Sequence, residues 1–236
     1  MPTPTSHQKT VLLIGASRGL GCFAMAEEFL KRGDKVIATG RESSKEPLYR
    51  LAEKYPDHLE VETTDITLPE QVNALHERLA EHHFDLLFVN AGVKNDDRET
   101  IADVSTEEFN RVMVTNALSP MRVIETFKVR VTPTGTIGVM SSGQGSLANN
   151  TNGKFEVYRA SKSALNMLMR SYAARNNSDP RTLLLMAPGW VRTELGGPEG
   201  RLSIEESIPN LLNTIEAYAG RSGLHYLDYL GKIVPW

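Results

Sequence analysis

Cysteine is nearly missing from this chain: Cys22 is the only one in 236 residues. That excludes an intramolecular disulfide framework and a cysteine-based zinc site, and it suits a reducing, cytoplasmic setting. No charge of one sign dominates. Lysine and arginine number 26 against 29 aspartates and glutamates, a formal net charge of −3, so nothing favours nucleic acid or an anionic membrane as a partner. Long hydrophobic runs are absent too. Met1 to Lys9 is polar with two prolines and reads as a flexible tail, and the apolar run Val11 to Ile14 is too short for a signal-peptide core. No stretch is long and apolar enough to span a membrane. The six histidines show no zincin spacing, His82-His83 reads as a solvated helix end, and no metal site is expected. Small, weakly charged partners fit this profile best.

What is present is core material: 40% of the residues are hydrophobic, enough to exclude wholesale disorder. Short aliphatic runs at Val11–Ile14, Val36–Thr39, Leu59–Glu62, Leu86–Val89, Thr136–Met140 and Leu183–Met186 read as buried strands. Between them lie segments of helical spacing, such as Phe23, Ala26, Phe29 and Leu30, then Leu165, Leu168, Met169 and Tyr172. Thr67 with Glu70 and Ser105 with Glu108 have the spacing of capping boxes at helix starts. No linker or repeat interrupts the alternation. The expectation is one α/β domain of the Rossmann type over residues 10–236, a doubly wound, mainly parallel sheet with helices on both faces. Gly143 to Phe155 and Glu194 to Ser203 are its two long loops.

The first strand runs into Gly15-Ala16-Ser17-Arg18-Gly19-Leu20-Gly21 and then a helix. Glycines there let the backbone turn tightly and approach a pyrophosphate at a helix N-terminus. At the end of the second strand an NAD enzyme would carry a carboxylate against the ribose 2′-hydroxyl, whereas this chain reads Ala38-Thr39-Gly40-Arg41. Arg41 and Arg18 suit a 2′-phosphate instead, which favours NADP(H) over NAD(H); the competing reading is two solvated arginines, and Glu42 stands close by. Asn90-Ala91-Gly92 after the fourth strand puts small residues where a cofactor and the sheet crowd together.

Further along, Tyr158 and Lys162 stand four apart in a helical segment and so share one face. Upstream, Ser141 and Ser142 end the fifth strand, where side chains emerge at the carboxyl edge of the sheet beside a dinucleotide. A phenol titrates near pH 10, so acid–base work near neutrality calls for a neighbouring cation, and Lys162 supplies it.

Taken in order, Gly15/Gly19/Gly21, Asn90-Ala-Gly, Asn116, Ser142, Tyr158/Lys162 and Pro188-Gly189 resemble the short-chain dehydrogenase/reductase family over essentially the whole chain. Tyr-Arg-Ala-Ser-Lys-Ser-Ala-Leu-Asn, Pro-Gly-Trp-Val-Arg-Thr-Glu-Leu-Gly-Gly and Gly-Lys-Ile-Val-Pro-Trp look like its small carbonyl-reductase branch, with C-factor-like and sniffer-like members. Ile14 replaces a threonine usual in that family, at the expense of one local hydrogen bond. The resemblance implies a catalytic set of Asn116, Ser142, Tyr158 and Lys162. Ser142 would bond the substrate oxygen, Tyr158 would donate the proton in carbonyl reduction, and Lys162 would also reach the nicotinamide ribose. Ser142 is favoured over Ser141 because the family's serine matches the second of such a pair. Asp65, with Ile66, matches the adenine-contacting position, or is an ordinary turn residue. Pro188, Gly189, Val191 and Thr193 match the segment that meets the nicotinamide carboxamide. The family asparagine links the lysine to a water relay, and Pro120, lacking an amide hydrogen, removes the helical donor due to the Asn116 carbonyl.

The expected activity is NADP(H)-dependent interconversion of a small carbonyl and alcohol, with hydride coming from the cofactor. The alternative is a dinucleotide-binding regulatory or signalling protein with little turnover; an epimerase or dehydratase of the longer related branch is disfavoured because its extra substrate domain has no room. Gly196, Gly197, Pro198 and Gly200 make the 194–203 loop a substrate lid or a plain surface loop. The resemblance also implies a homodimer or higher homo-oligomer, through helices over 110–127 and 158–174. The apolar end Ile233–Trp236 is expected to pack on its own domain.

Overall fold

The computed structural model describes residues 8–16, 19–44 and 46–236. One seven-stranded, wholly parallel sheet organises them, in the order β3-β2-β1-β4-β5-β6-β7. The strands are β1 (Thr10–Ile14), β2 (Lys35–Gly40), β3 (Leu59–Thr63), β4 (Phe84–Val89), β5 (Val131–Met140), β6 (Thr182–Ala187) and β7 (Gly223–Asp228). Alternate residues of each central strand feed opposite faces. Leu12, Ile14, Leu87, Val89, Ile137, Val139, Leu183 and Leu185 pack beneath α3 (Pro69–Arg78), α5 (Ser119–Phe127) and α6 (Glu156–Arg175). Val11, Leu13, Leu86, Phe88, Leu184 and Met186 pack under α1 (Gly19–Lys31), α2 (Glu46–Lys54) and α7 (Ile204–Tyr218). Both faces are therefore covered, which is why these strands read as continuous aliphatic runs. Each Leu or Ile so buried contributes about 1.5–3 kcal/mol of transfer free energy.

The six strands expected from sequence are present, and β7 joins them at the edge. Ser105 caps α4 (Thr106–Met113), its hydroxyl accepting from the Glu108 amide, but only half of the expected box forms, because the Glu108 carboxylate accepts from Arg111 instead. The expectation at Thr67 fails: α3 is capped at Leu68 without a side-chain bond. Thr67 is diverted because its amide and hydroxyl both donate to the Asp65 carboxylate, at 2.9 and 2.7 Å, an Asx-turn competing with the cap. A capping box does form at Ser203 and Glu206, which start α7.

Order reverses between β1 and β4, so their carboxyl ends open a crevice of the kind that receives ligands in open α/β sheets. Of the expected tail, residues 1–7 lie outside the described residues, whereas Gln8 and Lys9 bond to Gly33 and Asp34. No described helix is long and apolar enough to cross a membrane.

Candidate active site

At the crevice the chain turns out of β1 at Gly15, whose φ of +85° is left-handed, and a Cβ there would come within 3.0 Å of the Ala91 amide. Glycine alone allows this contact between the first loop and the Asn90-Ala91-Gly92 turn. The Gly15 amide donates to the Thr39 hydroxyl at 3.0 Å and the Ala16 amide to the Thr39 carbonyl. Thr39, buried in the neighbouring strand, thus supplies a bond that Ile14 cannot. Sequence reading missed Thr39, since the bond crosses between strands. Gly19, Leu20 and Gly21 open α1. Ser17 and Arg18 lie outside the described residues.

Where β2 and β3 end, Arg41, Glu42, Thr63, Asp65, Gln71 and Arg78 line a cleft of about 550 Å³. Arg41 is exposed. The Ile66 side chain sits in the core. Arg78, which sequence reading did not single out, donates to Glu62 and to the Thr63 carbonyl. The only signal for it was its place one helix after Asp65.

At the other side, β5 ends beside α6. Lys162 is 3% exposed and donates from Nζ to the Met140 carbonyl at 2.9 Å; the same nitrogen lies 5.9 Å from the Tyr158 ring centre. Tyr158 is half-buried, and the Ser142 side chain is near enough to its hydroxyl to act on its titration. The two serines part company here. Ser141 is buried and donates to Asn166 Oδ1 at 2.6 Å, while Ser142 Oγ accepts from the Gln144 amide at 3.1 Å and faces Tyr158.

Burial pushes the Tyr158 phenol up to about 12, with the nearby Ser142 side chain opposing and Tyr226 adding to it. Burial likewise lowers the Lys162 ammonium to about 8. The Lys162 charge works against the rise of the phenol, and with its titration pushed up to about 12, Tyr158 is protonated at neutral pH.

Asn116 is fully buried in a π-turn, Val114–Leu118, that joins α4 to α5 just before Pro120. The Ser119 amide reaches back to Val114, five residues away, which marks a widened helix at the place where Pro120 withholds an amide hydrogen. The Asn116 side chain accepts from the Val93 amide and donates to the Val93 carbonyl and to Ser161 Oγ. Gly92 brings this region to the lysine: a Cβ on it would lie 3.5 Å from Lys162 Nζ and 3.8 Å from Asn116 Oδ1.

After β6, the Pro188 carbonyl accepts from Ser207, and Gly189 takes a left-handed φ of +85°. Residues 190–202 then fold on themselves: Val191 pairs with Leu202, Thr193 with Gly197, Trp190 Nε1 donates to the Gly196 carbonyl, and Thr193 Oγ1 accepts from the Gly196 amide. Val191 is buried and the Thr193 hydroxyl serves this turn. No group of acidic, histidine or cysteine side chains among the described residues is arranged to hold a metal ion. His82 stacks on Phe84 and lies 3.6 Å from Glu60.

The geometry has counterparts. A short-chain dehydrogenase/reductase from Burkholderia multivorans, solved with bound NADP, is 57% identical, with a TM-score of 0.94 over 97% of this chain and 100% of that one. A carbonyl reductase from Pseudomonas aeruginosa in complex with NADP is 36% identical, TM-score 0.89, over 97% and 100% of the two chains. The C-signal of Myxococcus xanthus is 34% identical over 154 residues, which is 64% of this chain and 92% of that protein. The sequence profile of the short chain dehydrogenase family matches residues 9–201. With that profile and a fold shared along nearly its whole length, the chain belongs to the short-chain dehydrogenase/reductase family of oxidoreductases.

Proposed function

We propose that the protein is an NADP(H)-dependent carbonyl reductase, acting on a small aldehyde or ketone, with Asn116, Ser142, Tyr158 and Lys162 as its working set. The observation that carries this reading is the meeting of Tyr158 and Ser142 at the carboxyl end of β5, with buried Lys162 one helical turn away and its Nζ on the Met140 carbonyl, 5.9 Å from the Tyr158 ring centre. Two hydroxyls converging there suit one carbonyl oxygen. Ser142 donates a hydrogen bond as charge develops on that oxygen, and Tyr158 delivers the proton.

The cleft and crevice fit a dinucleotide. Arg41 at the end of β2 suits a 2′-phosphate, with Arg18 as its expected companion. Asp65 lines the adenine side, and Gly15, Gly19 and Gly21 leave room for a pyrophosphate. Gly92 keeps the space beside Lys162 open, and the 188–193 segment borders it. The reduced nicotinamide, when bound, supplies the hydride. The NADP-bound Burkholderia and Pseudomonas structures support the phosphate preference.

Direction follows from the titration argument. A protonated Tyr158 is ready for reduction, whereas alcohol oxidation needs its phenolate, so oxidation should gain with rising pH. A panel of aldehydes and ketones run with NADPH and with NADH tests the reading. The expected result is alcohol formed in step with NADPH consumed, at a higher kcat/KM than with NADH. NADPH binding without reduction of any carbonyl would overturn it.

A further inference from the structure

Ser142 stands two residues beyond the end of β5, where ladder bonding has stopped, so something else has to fix its backbone. Residues 140, 141 and 145 of this exit are held from outside the strand. Lys162 takes the Met140 carbonyl, and the Ser141 amide still bonds Met186. Asn166 takes the Ser141 hydroxyl, while Asn166 Nδ2 and Ser163 Oγ both donate to the Gly145 carbonyl at 3.2 and 2.9 Å. Lys162, Ser163 and Asn166 share a face of α6, one turn past Tyr158. The loop lies hard against that face: a Cβ on Gly145 would be 2.9 Å from Asn166 Nδ2 and 3.0 Å from the Lys162 backbone.

The Ser142 carbonyl accepts from the Gly145 amide and from the Tyr226 hydroxyl, the latter arriving from the edge strand 84 residues away. Tyr226 is itself 3% exposed and braced. Its ring lies 5.4 Å from that of Trp236, its carbonyl accepts from the Val234 amide, and the Trp236 carbonyl accepts from Ala148 in the same loop. Arg170 of α6 covers Trp236 at 4.8 Å. The last residues therefore clamp the loop that carries the serine.

We propose that Tyr226 is a positioning residue for Ser142, holding the serine backbone so that its hydroxyl meets Tyr158. The proposal rests on the reading of Ser142 as the group that bonds the substrate oxygen. Hydrogen-bond donors in such sites act through placement, and a small displacement costs rate.

The test is a double-mutant cycle on the full chain, with NADPH and para-nitrobenzaldehyde as the probe. Tyr226→Phe removes only the hydroxyl and keeps the ring against Trp236. It should lower kcat about tenfold while leaving KM for NADPH unchanged. In the Ser142→Ala background the same change should cost less than about twofold, because a residue acting through the serine has nothing left to place. An equal loss in both backgrounds, or a Tyr226→Phe enzyme as fast as wild type, overturns the proposal. A Ser142→Ala enzyme as fast as wild type is a separate result: it overturns the serine assignment, and the proposal with it.

Discussion

The two ends of the crevice are built on different principles. At the β2–β3 end, Arg41 is exposed on a loop and the cleft walls mix polar groups with Leu68 and Ala74. At the β5–β7 end, Ser141, Asn116, Lys162, Asn166 and Tyr226 are buried and bonded to one another or to backbone carbonyls. Under the proposed function, the contrast separates binding from chemistry. Arg41 at the open end lies outside that network, so a change there should alter affinity additively with changes in it. The buried network shares its partners, so changes there should be large and non-additive.

Lys162→Met offers the strongest way to sharpen that contrast. Loss of about a thousandfold in kcat/KM for carbonyl reduction is expected, within the range for removing an acid–base element, with NADPH still bound in a fluorescence titration. A loss under tenfold would show that the buried end is no more coupled than the open one.

At the open end, Arg41→Ala should raise KM for NADPH about 10- to 100-fold, the span of a charge-assisted hydrogen bond of about 1.5–3 kcal/mol, and leave KM for NADH unchanged. Parallel increases for both cofactors would break the assignment of Arg41 to the phosphate.

The smallest effect is graded by pH. Burial holds the Lys162 ammonium at about 8, below the free lysine value near 10.4, so in the unliganded enzyme the charge is present below pH 8 and lost above it. Reduction measured as kcat/KM should be level on the acid side and fall about tenfold per pH unit above 8; residual activity of Lys162→Met should lack this limb. The same shift bears on stability. Between about 8 and the ordinary lysine value the unfolded chain binds more protons than the fold, so stability contributed at this residue rises with pH across that window.

Much of the fold was legible because its central strands are buried on both faces and read as aliphatic runs. β7 was not. Gly-Leu-His-Tyr-Leu-Asp mixes polar and apolar residues, since only β6 pairs with it at the sheet edge, and such strands lose the signature. Thr67 misled because an Asx-turn and a capping box share the same residue types. At the site, the local motifs placed Tyr158 and Lys162 on one helix and Ser142 beside them. Thr39 and Tyr226 escaped, because each acts through a contact between strands far apart in sequence, and the chain carries no local mark of such a contact. The Ser141–Ser142 choice rests on resemblance, and Asn166 occupies the hydroxyl of the first of the pair.

The central claim is that the Tyr158 phenol delivers the proton in NADPH-driven carbonyl reduction. It is tested most directly by kcat for Tyr158→Phe against wild type on the aldehyde that the wild-type enzyme reduces fastest, with NADPH affinity measured on both proteins. The account predicts a loss of about a thousandfold or more with affinity unchanged; a Tyr158→Phe enzyme retaining a tenth or more of wild-type turnover would contradict it.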